Sequence, residues 1–209
     1  MSTVYARSTT IHAHPSFIDV GIVHIRDTVM PALAGIEGCA GLSLLVDHGS
    51  GRCIATSSWM DEDSLRASEG QVSQLRDAAA GVFHATMTVA QWEIAVVHRD
   101  HRSHRGAGVR VTWLEVEPGH QDRAVDVYKT ESVPAMAELS GFCSASLLVD
   151  PATGRAVSSV TFDTAQAMSG SRDKSETIRT SGIRQSGARL LEVAEFELAI
   201  AHLHVPEMA

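Results

Sequence analysis

The stretch "SLLVDHGSGR", residues 43–52, returns 103 positions later as "SLLVDPATGR", residues 146–155. Seven of the ten positions are identical without a gap, whereas two unrelated residues match at a frequency of only about one in fifteen. The same offset pairs further residues on both sides of this stretch: Arg7 with Arg110, Pro31 with Pro134, Trp59 with Phe162, Ser68 with Ser171 and Arg76 with Arg179. The sequence therefore indicates an internal duplication.

We divide the chain of 209 residues into two repeats, residues 1–103 and residues 104–209. One inserted residue moves the offset to 104 near the end of the repeats, where "WEIAVVH" (residues 92–98) corresponds to "FELAIAH" (residues 196–202). A repeat of about 100 residues has the size of a small domain. Each repeat is therefore expected to bury a core of its own.

Composition and charge exclude several classes of protein. Hydrophobic residues make up 44% of the chain, charged residues make up 20%, and no apolar run is long enough to span a bilayer. Lys and Arg number 7 against 11 Asp and Glu in the first repeat and 10 against 14 in the second, so each repeat carries a net charge of −4. Because nucleic-acid binding needs a basic surface, we expect neither a nucleic-acid partner nor a membrane partner.

The cysteines and the N-terminus indicate a cytoplasmic location. Three cysteines at unrelated spacings form no disulfide framework, as is typical of proteins in a reducing compartment. The opening residues "MSTVYARSTT" lack the basic stretch and continuous apolar run of a secretory signal.

Each repeat shows the same order of predicted elements: strand, helix, strand, strand, helix, strand. This order is typical of the ferredoxin-like split βαβ arrangement. Pro31 and Pro134 fall late in the first predicted helix of each repeat, where we expect a kink or a break. The last strand of the first repeat has apolar residues on both alternations, so both of its faces should be covered. We therefore predict an α+β fold in which two ferredoxin-like repeats pack sheet to sheet as a pseudo-dimeric α/β barrel within one chain.

The frame "PALAGIEGCAGLSLLVDHGSGRCIATSSWMDEDSLRAS", residues 31–68, resembles the antibiotic biosynthesis monooxygenase family. The shared pattern is a proline late in the first helix, an apolar second strand that ends in Asp, a turn with Gly, and a Trp at the end of the third strand. The second repeat matches as "PAMAELSGFCSASLLVDPATGRAVSSVTFDTAQAMSGS", residues 134–171. The resemblance implies a dimeric α/β barrel. It also implies one of two known activities, oxidation of polyketide anthrones to quinones without metal or flavin, or degradation of haem.

The resemblance also implies where a pocket would lie. The oxygenases that need no cofactor line their pocket with an Asn and a Trp four residues apart on the third strand. Trp59 matches that Trp, while Ala55 stands in place of the Asn, and the second repeat has Phe162 and Ser158 there. Where the haem degraders have a Trp and a His, this chain has Ser68 and Asp77. We therefore expect no haem degradation and no cofactor.

Five residues are candidates for lining a ligand pocket: Trp59, Arg76, His84, Phe162 and Arg179. A Trp at a strand end is either a pocket wall or part of the core. Arg76 and Arg179 can hold an enolate or carboxylate, or they can be solvated surface residues. His84 can act as a base near neutral pH, but only in the first repeat, because its counterpart is Ala188. No residue is assigned as catalytic.

Two further groups of residues raise the question of metal binding and of buried charge. His98, His101 and His104 are spaced by three among arginines; since no carboxylate or thiolate pattern completes the set, we expect no metal site. Glu93 and Glu197 recur at one repeat position. Each is expected to lie at a strand edge or to pair with an arginine such as Arg7 or Arg110, because an isolated buried carboxylate is costly.

Two functions follow as hypotheses. The first is a cofactor-independent oxygenase acting on a small aromatic or polyketide-like, acidic molecule. The second is a non-catalytic small-molecule-binding or structural module that has kept the fold and lost the pocket chemistry. Beyond the internal pseudo-dimer, a further homodimer is possible.

Overall fold

The computed structural model describes residues 3–117, 119–203, 205 and 207. In the first half of the chain, the elements are β1 (Tyr5–His12), a 3-10 turn (Pro15–Phe17), helix α1 (residues 18–34), β2 (Cys39–Val46), β3 (Arg52–Trp59), α2 (Glu62–Ala67), α3 (Glu69–Phe83) and β4 (Thr86–Arg99). In the second half, they are β5 (Gly108–Glu115), helix α4 (residues 121–137), β6 (Phe142–Asp150), β7 (Arg155–Phe162), α5 (Ala165–Gly170), α6 (Arg172–Ser186) and β8 (Arg189–Leu203). The predicted order of elements is confirmed in both halves.

The eight strands form one closed barrel in the order β1-β3-β2-β8-β5-β7-β6-β4. Pairing is antiparallel, as in β1 with β3, β2 with β3, β5 with β7 and β5 with β8. The predicted α+β barrel is therefore confirmed. No helix among the described residues has both the length and the apolar character needed to cross a membrane.

Helices α1 and α4 continue through their prolines instead of ending there. In α1, the segments Ile18–His24 and Met30–Ala34 are joined by a π-helical turn, Ile25–Val29, in which the Met30 amide donates to the Ile25 carbonyl. Helix α4 repeats this with the π-helical turn Tyr128–Ser132. A proline lacks the amide proton and crowds the carbonyl four residues earlier, and a wide turn just before it relieves both effects. The predicted interruption is thus a π-helical turn.

Contacts divide the chain into two compact units, and each is described by itself. Unit 1 consists of Met1–Trp92 and Leu198–Val205, and unit 2 consists of Glu93–Glu197 and Pro206–Ala209. Strand β4 therefore gives its first half to unit 1 and its second half to unit 2. The repeat boundaries at residues 103 and 104 come from the sequence comparison and remain a prediction.

Each unit has its own hydrophobic core between helices and strands. In unit 1, Ile18, Leu44, Trp59 and Phe83 are buried together with Ile200 of β8. In unit 2, the buried cluster contains Val96, Tyr128, Leu147, Phe162 and Met168. Each unit thus has a core of its own, as predicted, although the core of unit 1 also contains residues from the end of the chain.

The second strand of each repeat contains a β-bulge near its start. The pairing of β2 with β3 shifts between Cys39 and Gly41, and the pairing of β6 with β7 shifts between Phe142 and Ser144. Ala40 and Cys143 are therefore the extra residues, and they occupy the same repeat position. A bulge changes the direction of the side chain of its extra residue.

Candidate functional site

Each unit contains one cavity lined by a pair of arginines. The cavity of unit 1 has a volume of about 50 Å³ and is lined by Arg7 and Arg76. That of unit 2 has a volume of about 90 Å³ and is lined by Arg110 and Arg179. Arg110 and Arg179 are the repeat counterparts of Arg7 and Arg76, so the duplication has kept both cations.

The first arginine of each pair is fixed by the same contacts in both units. Arg7, on β1, is only 1% exposed; its Nη1 donates to Ser68 Oγ at 3.0 Å and its Nη2 to the Leu65 carbonyl at 2.6 Å. The guanidinium lies 5.6 Å from the centre of the Trp59 ring, within the range of a cation–π contact. Leu65 and Ser68 belong to the C-terminal end of α2, where carbonyl groups attract a cation.

Arg110, on β5, repeats these contacts in unit 2. Its Nη1 donates to Ser171 Oγ at 3.2 Å and its Nη2 to the Met168 carbonyl at 2.6 Å. The guanidinium lies 5.6 Å from the centre of the Phe162 ring. The two repeats therefore bind the equivalent arginine through the same contacts, and the ring beside it is Trp59 in one repeat and Phe162 in the other.

The carboxylate that balances this cation comes from a different element in each unit. Glu69, in α3, bridges the pair of unit 1: its Oε2 lies 2.9 Å from Arg7 Nη2 and its Oε1 lies 3.0 Å from Arg76 Nη2. The repeat counterpart of Glu69 is Arg172, so this source of negative charge is missing from unit 2.

In unit 2 the negative charge is supplied by Glu195 on β8. Its Oε1 accepts from Arg110 Nε at 3.1 Å and Nη2 at 2.8 Å, and its Oε2 accepts from Arg172 at 3.0 Å. Burial acts to raise the pKa of Glu195, but the hydrogen bonds from the two arginines outweigh it and the pKa is lowered. Of the two alternatives for Glu93 and Glu197, the pairing with Arg7 or Arg110 is wrong, because Glu69 and Glu195 pair with these arginines instead.

As a result, the second arginine of each pair differs between the units. Arg76 is held by Glu69, whereas no described residue forms a hydrogen bond or ion pair with the guanidinium of Arg179. Burial lowers the pKa of Arg179; Glu176 acts to raise it and Arg110 to lower it. Arginine nevertheless stays charged at neutral pH, so unit 2 presents to its cavity a cation that no described carboxylate contacts directly.

The cavity of unit 2 is otherwise mostly apolar. Its apolar lining includes Leu114, Val127, Met136, Leu147, Val160, Ile178 and Ile183. Two lining positions carry smaller residues than their counterparts in unit 1: Ser175 replaces Val72 and Gly182 replaces Ala79. These replacements help to explain its larger volume.

Tyr128 and Ser158 form a polar point on the wall of this cavity. The Tyr128 hydroxyl lies 2.8 Å from Ser158 Oγ and donates to the Ser146 carbonyl at 3.1 Å. Burial raises the pKa of Tyr128, and the contact with Ser158 only partly offsets this. The phenol is therefore neutral and acts as a hydrogen-bonding group.

The cavity of unit 1 has unsatisfied donors of its own. Arg7 Nε and Arg76 Nη1 are buried and have no hydrogen-bond partner among the described residues. An unpaired buried donor costs free energy, so this cavity can also accept a polar ligand atom. Its smaller volume leaves less room than in unit 2, and the Glu69 carboxylate that bridges Arg7 and Arg76 leaves less net positive charge.

Among the five predicted pocket residues, the two arginines line the cavities and the other three do not. Trp59 and Phe162 are fully buried behind Arg7 and Arg110. His84 is exposed at the C-terminal end of α3, in a left-handed conformation with φ 47°, and its ring lies 4.3 Å from that of Phe17. The roles of all five in ligand binding remain predictions.

Arg7 and Arg110 are not among the five pocket residues predicted from the sequence. The available signal was their recurrence at one repeat position together with Ser68 and Ser171. Their function as anchors depends on carbonyl groups of α2 and α5, which a residue pattern does not reveal.

The three histidines near the end of β4 have different partners in the structure. His98 Nδ1 lies 3.0 Å from Glu207 Oε1, and His104 Nδ1 lies 2.8 Å from the Arg105 carbonyl oxygen. His101, by contrast, meets Cys143 and Asp163, and the candidate ligand atoms of these three residues all lie within 4.8 Å of one another. The expectation that no thiolate or carboxylate joins the histidines is therefore wrong for His101.

Comparison with known proteins supports the fold and gives the chain relatives. No family model matches the sequence. The chain is 55% identical over 208 residues to the uncharacterized protein Rv2558 of Mycobacterium tuberculosis, an alignment that covers 99% of this chain and 88% of the relative.

Two solved structures show the architecture. An anthrone oxidase-like protein superposes with a TM-score of 0.70 at 15% identity, covering 97% of this chain and 92% of that protein. A ferredoxin-fold protein from Listeria monocytogenes, related to antibiotic biosynthesis monooxygenases, superposes with a TM-score of 0.55 at 10% identity, covering 95% of both chains. Identities this low bear on the fold alone. The chain therefore belongs to the same family as the mycobacterial protein Rv2558, and its fold is that of the antibiotic biosynthesis monooxygenases, as the sequence resemblance indicated.

Proposed function

We propose that the protein binds a small, largely apolar anion in the cavity of unit 2 and acts on it as a cofactor-independent oxygenase of the antibiotic biosynthesis monooxygenase type. The observation that carries this proposal is the guanidinium of Arg179, which lines a mostly apolar cavity and forms no hydrogen bond or ion pair with any described residue. A cation in such surroundings attracts an anion more strongly than it does in water. The ligand class is an aromatic or polyketide-like molecule with a carboxylate, phenolate or enolate.

The chemistry needs little from the protein. An anthrone-type substrate loses a proton to solvent and gives an electron-rich anion, which transfers electrons to O₂. When that proton is returned, a CH₂ group and O₂ have become a carbonyl group and water. Arg179, with Arg110 nearby, stabilises the negative charge of the anion, and fixed charges of this kind are a large source of catalysis. The apolar walls orient the rings and exclude water.

Proton removal limits the substrates. Among the lining residues that the structure describes, neither cavity has an Asp, Glu or His that could act as a base. The substrate must therefore be acidic enough to bind as its anion. The same observation favours the second candidate, a non-catalytic module that binds the anion without converting it.

Binding is tested with hydroxynaphthoates and their uncharged methyl esters, titrated into the full chain by calorimetry. We expect the acids to bind and the Arg179→Gln variant to bind them about 10- to 100-fold more weakly, the effect of losing a hydrogen bond to a charged group. The matched control is Arg76→Gln, the same change at the repeat counterpart; because Glu69 already pairs with this cation, the control should weaken binding far less. Equal affinity for acids and esters, or equal effects of the two variants, would refute the proposal.

Catalysis is tested separately by oxygen consumption. Anthrones and dihydroxynaphthalenes are incubated with the protein without added metal, flavin or haem, and the product is identified by mass spectrometry. Quinone formation that Arg179→Gln slows supports the oxygenase. Tight binding without oxygen uptake would support the non-catalytic binding module instead. For that module we propose the same ligand class and the same cytoplasmic location as for the oxygenase.

A further inference from the structure

We propose that His101, Cys143 and Asp163 of unit 2 form a binding site for a divalent transition-metal ion of the zinc type. The three side chains offer an imidazole nitrogen, a thiolate sulfur and a carboxylate oxygen, a donor set that suits Zn²⁺. They do not line the cavity of unit 2, so this site is independent of the proposed function.

The distances fit a metal polyhedron with small adjustments. His101 Nε2 lies 2.8 Å from Asp163 Oδ1, and Cys143 Sγ lies 3.2 Å from the same oxygen. Around Zn²⁺, tetrahedral ligands at the usual bond lengths are about 3.4–3.6 Å apart. These two separations must therefore open by less than about 1 Å, which side-chain rotation can supply, and the third pair of ligand atoms lies within 4.8 Å.

Asp100 supplies the outer partner that a metal-bound histidine normally has. Asp100 Oδ2 lies 2.8 Å from His101 Nδ1, the ring nitrogen that faces away from Asp163. A carboxylate in this position fixes the tautomer that leaves Nε2 free to bind metal, and it makes the imidazole a stronger ligand. This arrangement is a second observation, separate from the cluster itself, that points to a cation.

The backbone holds the three ligands in place. Cys143 is the extra residue of the β6 bulge, and its carbonyl accepts from the amides of Asp100 at 2.9 Å and His101 at 3.3 Å. The Asp163 amide donates to the Gly141 carbonyl at 2.8 Å. Hydrogen bonds thus tie the segment after β4 and the segment after β7 to the start of β6, which preorganises the site.

The fold itself does not require these side chains. The repeat counterparts of Cys143 and Asp163 are Ala40 and Met60, and the first repeat forms the same bulged hairpin with them. A thiol and a carboxylate in contact at this position are therefore an addition in the second repeat.

The site is protonated when no metal is bound. Burial, followed by the contact with Asp163, raises the pKa of the Cys143 thiol to about 12, and this thiol donates to the Asp163 carboxylate. A metal ion would replace the thiol proton and the Nε2 proton that His101 donates to Asp163, and both protons leave to solvent. Three protein ligands leave one tetrahedral position for water. Because His101 lies in the segment after β4 and the other two ligands lie at the ends of the β6–β7 hairpin, the bound ion would link residues 100–107 to that hairpin.

Cobalt titration of the full chain tests the proposal, because Co²⁺ takes the place of Zn²⁺ and reports on its ligands. The protein is first reduced and treated with a chelator. We expect one Co²⁺ per chain, a thiolate-to-cobalt charge-transfer band in the near ultraviolet, and displacement of the cobalt by Zn²⁺. Absence of stoichiometric binding, or binding without that band, would overturn the site.

Variants assign the ligands. Cys143→Ala should remove the charge-transfer band, and it and Asp163→Asn should each weaken metal binding by more than about 100-fold; Asp100→Asn should keep the band and weaken binding about 10- to 100-fold. Cys39→Ala and His104→Gln are the controls and should bind as the unaltered chain does. Because Ala40 occupies the same bulge in the first repeat, Cys143→Ala should fold, which circular dichroism verifies. Binding that survives in both Cys143→Ala and Asp163→Asn would overturn the site, because the histidines near the end of β4 (His98, His101 and His104) would then hold the ion alone.

Discussion

At the scale of single residues, the arginine on the first strand of each repeat is more constrained than the aromatic ring beside it. Arg7 and Arg110 make the same hydrogen bonds to a serine and a helix carbonyl. The ring that each guanidinium faces is Trp59 in one repeat and Phe162 in the other, at 5.6 Å in both. The repeats therefore indicate which substitutions the site tolerates.

Trp59→Phe should be tolerated far better than Trp59→Ala. Phenylalanine keeps a ring against Arg7, as in unit 2, and loses mainly the hydrogen bond from Trp59 Nε1 to Ser57 Oγ at 3.1 Å, a cost of about 0.5–1.5 kcal/mol. Alanine leaves a cavity and should cost about 3–5 kcal/mol. Urea unfolding measures both, and equal losses would contradict the interpretation of this position.

The lowered pKa of Glu195 predicts a pH-dependent contribution to stability. A carboxylate whose pKa is lower in the folded state stabilises the fold above its unfolded pKa, about 4.3, and loses this contribution as pH falls through the folded value. Glu195→Gln should therefore be less stable than the unaltered chain at pH 7, by about 1–3 kcal/mol, and the difference should shrink in acid. Glu115→Gln, which breaks an exposed pair with Arg189, is the control and should change stability by less than about 1 kcal/mol. A difference that stays constant with pH would exclude this role for Glu195.

At the scale of elements, helix packing depends on glycines that the sequence pattern does not distinguish. A Cβ added to Gly21 of α1 would lie 2.1 Å from Phe83 Cε1 of α3, whereas a Cβ on Gly81 of α3 would meet nothing within 4 Å. Gly21 thus permits the close approach of two helices, and Gly81 only weakens its own helix.

Gly21→Ala and Gly81→Ala should therefore change stability in opposite directions. The first overpacks the contact with Phe83 and should destabilise the protein by about 1–3 kcal/mol. The second improves helix propensity and should stabilise it by about 0.5–1 kcal/mol. Thermal unfolding of the two variants gives the signs directly, and two shifts in the same direction would contradict this account of α1 and α3.

Element order could be predicted from the sequence because the duplication gave two independent examples of each periodic pattern. The pairing of charged residues could not be predicted from the sequence. In the pairing of β5 with β8, Arg110 lies opposite Glu195, and Glu197 lies opposite Gly108. Glu195 and Glu197 are two residues apart and therefore lie on the same face of the strand, so the sequence pattern alone does not show which of them faces Arg110. His101, Cys143 and Asp163 come from three segments, and only the bulge and the backbone hydrogen bonds bring them together.

At the scale of the whole molecule, the end of the chain is part of the core formed by its beginning. Ala199 and Ile200 of β8 are buried with Ile11, Leu44 and Phe83. Residues separated by more than 100 positions therefore complete one core. This long-range contact does not follow from the repeat boundaries, which assign residues 198–205 to the second copy.

Ile200→Ala should lower the local stability of the N-terminal strands β1 and β2 more than that of its own neighbours in β8. Loss of a buried isoleucine costs about 2–5 kcal/mol, and hydrogen exchange should show reduced protection in β1 and β2. Leu190→Ala in the same strand, where the side chain is exposed, serves as control and should have little effect. Loss of protection confined to residues 189–203 would contradict the assignment of this segment to unit 1.

The placement of the balancing carboxylates has a consequence for engineering. Because Glu69 belongs to a helix and Glu195 to a strand, either can be neutralised without altering the other, and Glu69→Gln would release Arg76 while unit 2 keeps its own compensation. The charge of the two cavities can thus be adjusted separately within one polypeptide, and under the proposed function each cavity would then select its own ligand.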